Sequence, residues 1–486
     1  MNMANDALLS ADRTTTETIA LRDLPGRQPV VVKQGRSIRE ALEIMDRQKV
    51  GAVVVVEGDT HKPTGILTLQ DVLRRVARPG ISLLQPVEAV MTRQVETLAE
   101  TATVHEGLLF MSHRKIRHIP VVDTSGRLVQ VVSLNQIRDP FAGEVDLILG
   151  HIDAAEDVDQ LAGLANQANT LGATLLRQHG NSGLLTSVIS SLNDALSRRA
   201  IELVMARHSL PAVRWCWIVM GSEGRFEQTF QTDQDNGLIF EAGCAREANE
   251  LRLLFLPFAQ EVNQYLDQCG IPHCTGGIMA GRPECCLSLD EWRERFCNWI
   301  AAPEPQALLN ATIFFDFRPL FGEEGLAKTL RRHLSDTVRD RNLFFRLMAA
   351  NALEAEPPVG TLRDFITRLD EDKRRTIDLK KYGSRIFVDA GRIFALAAGV
   401  AETNTAIRLR AGGASCGLHA LDIDSNVQAF AQLQRVRMAN QLQVSGITNR
   451  NLLNPDSLHR LDRKILREAL LQAGNLQLQL RRAYSL

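Results

Sequence analysis

The 486-residue sequence has no excess of charge of either sign and no long hydrophobic run. Its 56 basic and 57 acidic residues leave a formal net charge of −1, so bulk electrostatics favour neither DNA nor an anionic membrane as a partner. We find no uninterrupted apolar stretch long enough to span a bilayer. The first residues include Asp6 and Asp12 and contain no apolar signal core. We therefore expect a cytoplasmic protein.

Paired cysteines of the zinc-binding type are also missing. None of the eight cysteines stands in a Cys-x-x-Cys spacing, although Cys269, His273, Cys274, Cys285 and Cys286 lie close together in the chain. In a cytosolic protein of this size, most cysteines are small buried hydrophobic residues or free thiols. That is our expectation here, with a zinc site as the second alternative.

The stretch from residue 220 to 236, MGSEGRFEQTFQTDQDN, has the features of an anion-binding turn. It follows an apolar run at Trp215–Val219 that predicts a buried strand. Gly221 permits close approach of a ligand, and free N–H groups at the start of a short helix favour an anion such as a triphosphate. The Ser222 hydroxyl and the Arg225 guanidinium add donors suited to phosphate oxygens.

Two carboxylates follow this turn. Asp233 and Asp235 stand at positions i and i+2 of a second predicted strand that continues through Gly237 to Phe240. Alternation along a strand places both on one face, where they can share a hard divalent cation. A phosphate-binding turn beside a carboxylate pair is typical of phosphoryl or nucleotidyl transfer.

The whole motif resembles the nucleotidyltransferase superfamily with a Gly-Ser turn and an Asp-x-Asp pair. It is most similar to bacterial proteins related to the uridylyltransferase of nitrogen signalling. The resemblance implies an NTP substrate, Mg²⁺ or Mn²⁺, and a third carboxylate from a later strand. Asp316 is the candidate, in the alternating stretch from Ala311 to Arg318. The alternative is a surface ion pair between Asp316 and Arg318.

An internal duplication of about 60 residues precedes this core. Each copy reads as strand, helix, two strands and helix, with Gly65–Thr68 ending the first hairpin and Val129–Ser133 the second. The duplication resembles a CBS pair, a module that commonly binds adenine nucleotides between its halves and forms homodimers. By this resemblance Thr68 and Asp71 would hold a ribose in the first half. Ser133 would do so in the second half, where Gln136 replaces the acid; the alternative is a pair that only dimerises.

The C-terminal part is predicted to be helical. Charged residues recur there at steps of three and four, which places them on one helix face: Asp378, Lys381, Arg385, Asp389 and Arg392. The nucleotidyltransferase resemblance implies that this stripe faces the nucleotide or the acceptor, with Lys381 and Arg385 as nucleotide-binding residues. The alternative is a solvated face with ion pairs between neighbouring turns.

The sequence therefore predicts a multidomain protein of α/β and α parts. The segments are a flexible lead-in (1–24), a CBS-like α/β pair (25–140, halves 25–80 and 87–140), a helical connector (141–210), an α/β nucleotidyltransferase core with a mixed sheet (211–325) and a C-terminal helical bundle (326–486).

The function predicted is transfer of a nucleoside monophosphate from an NTP to an acceptor, regulated by an adenine nucleotide at the CBS-like pair. Protein uridylyl or adenylyl transfer is the nearest type, and a regulatory protein is one candidate acceptor. The alternative is a catalytically inactive sensor of adenylates. A nucleotidyl-removing enzyme is a further rival, but the sequence has no His-Asp dipeptide, the usual mark of the removing domain in those relatives.

Overall fold

A computed structural model describes residues 20–23, 29–48, 50–58, 60–93, 95–102, 106–107, 110–111, 116, 118–133, 142–179, 182–360, 365–370, 373–443 and 449–486. Residues 1–19 and 24 of the expected lead-in, most of the helix expected from Thr103 to Arg114, and Gln136 lie outside these residues. Leu21–Asp23 of the lead-in form a 3-10 turn, in which Leu21 is buried and its N–H donates to the Ala102 carbonyl at 2.7 Å, so this part is not the flexible segment expected. The chain divides into two compact units, Met1–Leu147 and Ile148–Leu486. Among the helices in the described ranges, none is long and apolar enough to cross a membrane.

The first unit contains the predicted duplication. Its strands and helices are β1 (Val31–Lys33), α1 (Ile38–Arg47), β2 (Ala52–Val56), β3 (Pro63–Thr68), α2 (Leu69–Asp71), β4 (Thr92–Arg93), β5 (Leu98–Ala99), β6 (His118–Val122) and β7 (Leu128–Ser133). The strands form two sheets in the orders β1-β2-β3-β4 and β5-β6-β7. In both sheets a parallel pair is followed by an antiparallel hairpin, β2–β3 or β6–β7.

The two hairpins correspond in detail. Thr68 pairs with Ala52 at the end of the first, and Ser133 pairs with His118 at the end of the second. The two copies also share a hydrophobic cluster, in which Val54 and Ile66 of the first copy pack with Leu128 of the second. The repeat is therefore structural as well as sequential.

Three long helices and a mixed four-stranded sheet open the second unit. The helix α3 (Ala142–Ala154) begins in the first unit, and the next elements are α4 (Val158–His179), α5 (Ser182–Met205), β8 (Trp215–Val219), α6 (Gly221–Gly224), β9 (Asn236–Phe240), α7 (Ala245–Gln268), β10 (Cys286–Ser288), α8 (Leu289–Ala301), α9 (Pro305–Phe314), β11 (Arg318–Gly322) and α10 (Glu324–Val338). The strand order is β10-β9-β8-β11, with β9 and β10 parallel and the other pairs antiparallel.

The remaining elements are mostly helical: α11 (Asn342–Ala352), β12 (Arg368–Leu369), β13 (Arg375–Asp378), a π-helical segment (Lys380–Ser384), α12 (Arg385–Ala397), α13 (Thr405–Ser415), α14 (Ala420–Gln443), β14 (Leu452–Leu453) and α15 (Arg460–Tyr484). A single hydrophobic cluster contains Ile218 of the sheet, Phe387 of α12 and Leu466 of α15. The sheet and the C-terminal helices are thus packed as one body.

The strand predicted from Ala311 to Arg318 is wrong. Residues up to Phe314 belong to α9, and β11 begins only at Arg318. Buried residues recur at helical steps, Ala307, Leu308, Ala311 and Phe314, because α9 packs one face into the core. The helix α8 is a core element, since Trp292, Phe296 and Ile300 are buried.

Candidate active site

The Gly-Ser turn connects β8 to the short helix α6. Gly221 has φ +57, in the left-handed region that glycine adopts without strain. A Cβ at this position would collide with the Asp235 carboxylate. The backbone N–H of Met220 donates to the carbonyl of Asp235 at 2.8 Å. The turn therefore lies directly against the predicted carboxylate pair.

Asp233 and Asp235 flank Gln234 immediately before β9 begins at Asn236. Gln234 is fully buried, and its side-chain amide donates to the carbonyls of Asn263 and Ile271 at 2.9 and 2.8 Å. The two carboxylates, by contrast, are only half-buried. The side chains thus alternate as expected for a strand, although the regular strand starts only at Asn236 and includes neither aspartate.

Cys274 provides a third donor at this pair. A carboxylate oxygen of Asp233, one of Asp235 and the Cys274 sulfur all lie within 4.8 Å of one another. The loop that carries Cys274 is tied to the Asp-x-Asp segment on both sides. Gln234 N–H donates to the Pro272 carbonyl at 3.0 Å, and Asn236 N–H donates to the Ile278 carbonyl at 3.1 Å.

The site carries unbalanced negative charge. Burial, together with the neighbouring charge of Asp233, raises the pKa of Asp235 to about 7. A hydrogen bond from Cys274 and the positive charge of Lys380 partly offset this rise. Burial also raises the pKa of the Cys274 thiol to about 11. A bound cation would relieve the repulsion between the carboxylates, so the donor set fits a divalent metal ion.

Asp316 does not join this group, which corrects the expectation that it is a third metal ligand. The carboxylate is fully buried. It accepts two hydrogen bonds from Arg392, at 3.0 and 2.7 Å, one from Arg408 at 2.6 Å, and one from Arg225 at 2.8 Å. Although burial opposes ionisation, these guanidinium groups hold the pKa of Asp316 far below its usual range. Both oxygens are thus used in ion pairs.

The alternative pairing of Asp316 with Arg318 is also wrong. Arg318 is buried and donates to the Asp194 carboxylate at 2.6 Å. The residues were expected to share a strand face, but Asp316 lies between α9 and β11, where that alternation does not apply.

Arg225, expected on phosphate oxygens, is largely committed to carboxylates. Its Nε donates to Glu227 at 2.9 Å and its Nη1 to Asp316 at 2.8 Å. Burial works against its charge, but Glu227 and Asp316 leave the pKa of Arg225 raised. Ser222 remains half-buried in the turn. Of the two predicted side-chain donors to phosphate, Arg225 is thus used in ion pairs, whereas Ser222 is uncharged and takes no part in them.

The predicted charged stripe does not lie on a single helix. Asp378 ends β13, Lys381 belongs to the π-helical segment, and α12 starts at Arg385. Asp389 and Arg392 are buried. The stripe is neither one ligand-facing surface nor one solvated face, because its two ends have different surroundings.

Lys381 and Arg385 accordingly have separate environments. Arg385 donates to Asp389 at 3.0 Å. Lys381 is exposed and lines a cavity of ≈ 560 Å³ in the C-terminal domain. Lys380, which sequence reasoning passed over, is the lysine whose charge acts on Asp233 and Asp235. Although Lys380 is exposed, the protein atoms packed around its side chain and the charge of Arg437 lower its pKa, and the two aspartates act in the opposite direction.

The segment between α12 and α13 holds the Gly-Ser turn in place. The Thr403 hydroxyl donates to the Gly224 carbonyl at 2.7 Å, and the Asn404 amide donates to the Arg225 carbonyl at 3.1 Å. Thr405 N–H donates to Glu227 at 2.6 Å. These contacts join residues about 180 positions apart, and no local sequence signal reveals them.

In the first unit, the predicted ribose-binding residues bond to each other. The Thr68 hydroxyl donates to the Asp71 carboxylate at 2.7 Å, and the two residues form a capping box at the start of α2. Asp71 also lies 3.4 Å from the Arg75 guanidinium. Ser133 occupies the equivalent hairpin end in the second copy.

Three family models match the chain. The CBS domain matches residues 21–78 and 87–142. The Putative nucleotidyltransferase DUF294 matches residues 166–306, and the Putative nucleotidyltransferase substrate binding domain matches residues 342–484. The last two models cover the Gly-Ser turn, the Asp-x-Asp pair, the Cys274 loop and the helices that hold them.

Curated relatives match a smaller part of the chain. It is 30% identical over 107 residues to the "Uncharacterized 17.7 kDa protein in bps2 3'region" of Acidianus ambivalens, covering 22% of this chain and 63% of that protein. It is 28% identical over 137 residues to the CBS domain-containing protein YhcV of Bacillus subtilis, covering 27% and 96%. The chain thus spans less than two thirds of the Acidianus protein.

Among solved structures, the chain is similar to the CBS domain protein PAE2072 from Pyrobaculum aerophilum complexed with AMP. The identity is 28% and the TM-score is 0.24, with 26% of this chain and 98% of that chain covered.

Proposed function

Because this chain belongs to the CBS-pair proteins that carry the Putative nucleotidyltransferase DUF294 domain and its substrate binding domain, we propose that it transfers a nucleoside monophosphate from an NTP to an acceptor. Pyrophosphate is the other product. The observation that carries the proposal is the Asp233–Asp235 pair, which lies against the Gly221 turn with its oxygens close enough to share one ion.

Asp233 and Asp235 are the residues that would hold a divalent cation, Mg²⁺ or Mn²⁺ in the first instance. Such an ion neutralises triphosphate charge and lowers the pKa of the attacking group. Around it, the Gly221 backbone and the Ser222 hydroxyl would bind phosphate oxygens. Lys380 would add positive charge on the same side, since it already interacts with both aspartates.

Asp316 and Arg225 have a positioning role in this proposal. They join the turn to α12 and α13 through Arg392 and Arg408. Effective phosphoryl chemistry depends on holding the reacting groups in a fixed geometry. The ion pairs would supply that rigidity without contacting the substrate.

The acceptor would bind in the C-terminal domain. Its ≈ 560 Å³ cavity is of the size typical for small-molecule sites. The lining includes Arg368, Lys381 and Tyr382, and both cations lie near the tyrosine ring, with the Arg368 guanidinium carbon 4.7 Å and the Lys381 Nζ 5.2 Å from its centroid. We propose that Lys381 contacts an anionic part of the acceptor or nucleotide there, while Arg385 supports Asp389.

Regulation would come from the CBS pair. We propose an adenine nucleotide in the first half, with Thr68 and Asp71 turning from each other to the ribose hydroxyls, and a weaker role for Ser133 in the second half. Homodimer formation through this pair is part of the same proposal. ATP or AMP should then raise the thermal unfolding temperature of wild type but not of Asp71→Ala.

The test of catalysis uses the full chain with each α-³²P-labelled NTP, a divalent cation and a lysate as acceptor source. Wild type is compared with Asp233→Asn/Asp235→Asn and with Asp422→Asn/Asp424→Asn, an exposed pair of the same spacing on α14. Label transferred by wild type and the α14 variant alone supports the proposal. No transfer with any NTP, while NTP still stabilises the protein, would instead identify a non-catalytic sensor.

A further inference from the structure

We infer that Cys274 is a direct third ligand of the cation held by Asp233 and Asp235, and that its sulfur makes the site prefer a borderline ion such as Zn²⁺ or Co²⁺ over Mg²⁺. The inference rests on the proposed function only in placing a cation at the two aspartates. It concerns the identity of that ion, for which the resemblance to nucleotidyltransferases implies Mg²⁺ or Mn²⁺ instead.

The first support is the distance among the donors. The two carboxylate oxygens and the sulfur lie within 4.8 Å of one another. Ligands of one tetrahedral ion are separated by roughly 3.6 Å, given metal–oxygen and metal–sulfur bonds of about 2.1 and 2.3 Å, so small side-chain movements would bring all three donors onto one ion. Within the described part of the chain, this is the one group of three His, Cys, Asp or Glu donors that lie this close together.

The second support is the way the loop holds the sulfur. Residues on both sides of the cysteine are tied to the Asp-x-Asp segment, through Gln234 N–H to the Pro272 carbonyl at 3.0 Å and Asn236 N–H to the Ile278 carbonyl at 3.1 Å. The loop also closes on itself, since Gly277 N–H donates to the Cys274 carbonyl at 3.0 Å and Gly277 has φ +71. A sulfur held in this way within 4.8 Å of two carboxylate oxygens is arranged as a ligand rather than as a core hydrophobic group.

The third support is the fixed position of the loop relative to the aspartates. The Asn236 side-chain oxygen accepts from Ala280 N–H at 2.8 Å and from the Asn263 amide at 3.0 Å. Asn263 also donates to Gln234 at 2.7 Å and accepts from Gly281 N–H at 2.9 Å. This buried network fixes the end of the loop at Ala280 and Gly281 against Gln234 and Asn236, the residues that border Asp235.

Sulfur changes which ion the site selects. Mg²⁺ demands oxygen ligands in near-octahedral geometry, whereas thiolates bind Zn²⁺ and related ions strongly. In the metal-free protein the thiol keeps its proton. On binding, the S–H bond breaks, the proton leaves to solvent, and the sulfur electron pair forms the bond to the metal.

The test is a titration of the metal-free, reduced full-length protein with Co²⁺, without NTP, followed by absorption spectroscopy. A cobalt–thiolate bond produces a charge-transfer band in the near ultraviolet. Variants are Cys274→Ser, which keeps a small polar side chain, and Cys297→Ser, which removes a thiol that lies 3.3 Å from His333 outside this site. Circular dichroism checks that each variant is folded.

Wild type and Cys297→Ser should show the band, and Cys274→Ser and Asp233→Asn/Asp235→Asn should lose it. Removing even outer partners of metal ligands weakens binding about 10–100-fold, so Cys274→Ser should weaken Zn²⁺ binding by at least about 100-fold. Mg²⁺ binding, measured calorimetrically, should change by less than about 3-fold because Mg²⁺ does not use the sulfur.

A band that survives in Cys274→Ser, or Co²⁺ that binds wild type without a band, overturns the inference. Neither result contradicts the proposed function, because nucleotidyl transfer is assayed separately with Mg²⁺ or Mn²⁺. Conversely, a protein that transfers no label can still give the cobalt band, and the inference about the ligand then stands.

Discussion

Asp235 and Asp316 both lie against the Gly-Ser turn, yet the protein surrounds them with opposite charge. Asp235 faces Asp233 and a thiol, and burial with that like charge raises its pKa to about 7. Asp316 faces three guanidinium groups that keep it ionised despite complete burial. A carboxylate beside the same turn can therefore serve either to attract a cation or to hold the fold together.

The charge balance explains the division. Around Asp316, the three carboxylates of Asp316, Glu227 and Asp389 are paired with the four guanidiniums of Arg225, Arg385, Arg392 and Arg408. This set has no excess of negative charge and does not attract a cation. At the other pair, Lys380 acts on both aspartates, but burial and the charge of Asp233 still leave the pKa of Asp235 raised. The negative charge of that pair is therefore left for an ion to neutralise.

The largest effect should come from removing negative charge at the Asp233–Asp235 pair. Asp235→Asn should lower nucleotidyl transfer by at least about 1000-fold, roughly 4 kcal/mol in the activation barrier, because metal-assisted charge stabilisation is lost. The measurement is the initial rate of labelled transfer at saturating NTP. A rate within tenfold of wild type would show that the pair does not hold the catalytic ion.

A substitution of Asp316, at the centre of the arginine ion pairs, should lower the stability of the protein. Asp316→Asn leaves three buried arginines without their shared acceptor and should lower the free energy of unfolding by about 3 kcal/mol. Urea denaturation measures this, with Asp290→Asn, at an exposed residue of α8, as the control. A loss below about 0.5 kcal/mol, the usual size for a surface substitution, would mean that the arginines find other partners.

The Gly-Ser turn can be tested by comparing the same substitution at two glycines. Gly221 (φ +57) and Gly270 (φ +81) both need the left-handed conformation, but only a Cβ at Gly221 would meet Asp235; at Gly270 there is open space. Gly221→Ala and Gly270→Ala should each cost about 1–2 kcal/mol of stability. Only Gly221→Ala should also reduce transfer, by about tenfold, since it displaces the carboxylate. Equal activity in both variants would contradict the proposed contact.

The smallest effects concern pH and have opposite signs. Asp316 has a lowered folded pKa, so it stabilises the protein above about pH 4, and this is lost as the pH falls below that value. Asp235 has a folded pKa raised to about 7, so in the metal-free protein its contribution becomes more unfavourable as the pH rises from about 4 to 7. Asp235→Asn should gain stability over wild type between pH 4 and pH 8, on the order of 1 kcal/mol. The stability deficit of Asp316→Asn relative to wild type should stay constant over that range and shrink as the pH falls from 4 to 2, because the unfolded chain then takes up a proton that the folded protein does not. Unfolding curves at pH 2, 4 and 8 provide the measurement. A stability difference from wild type that changes with pH in the same direction for both variants would contradict the comparison.

The elements that sequence predicted correctly have strong local patterns. The apolar run of β8 and the repeated hairpins β2–β3 and β6–β7 are each recognisable from a short stretch of sequence. The strand predicted over Ala311–Arg318 failed because Phe314, Phe315 and Phe317 satisfy both periodicities in a short window. The preceding Ala307 and Leu308 carry the helical spacing that decides it.

The sequence by itself determined that Gly221, Ser222, Asp233 and Asp235 lie close together, since one short segment of the chain carries all four; their binding of an anion and a cation is part of the proposal. Only the tertiary structure decided which groups surround Asp316, Lys380 and Cys274. Their neighbours come from segments roughly 30–150 residues away in the chain. A carboxylate becomes a metal ligand or an ion-pair anchor according to which charges packing brings around it, and spacing along the chain does not encode those charges.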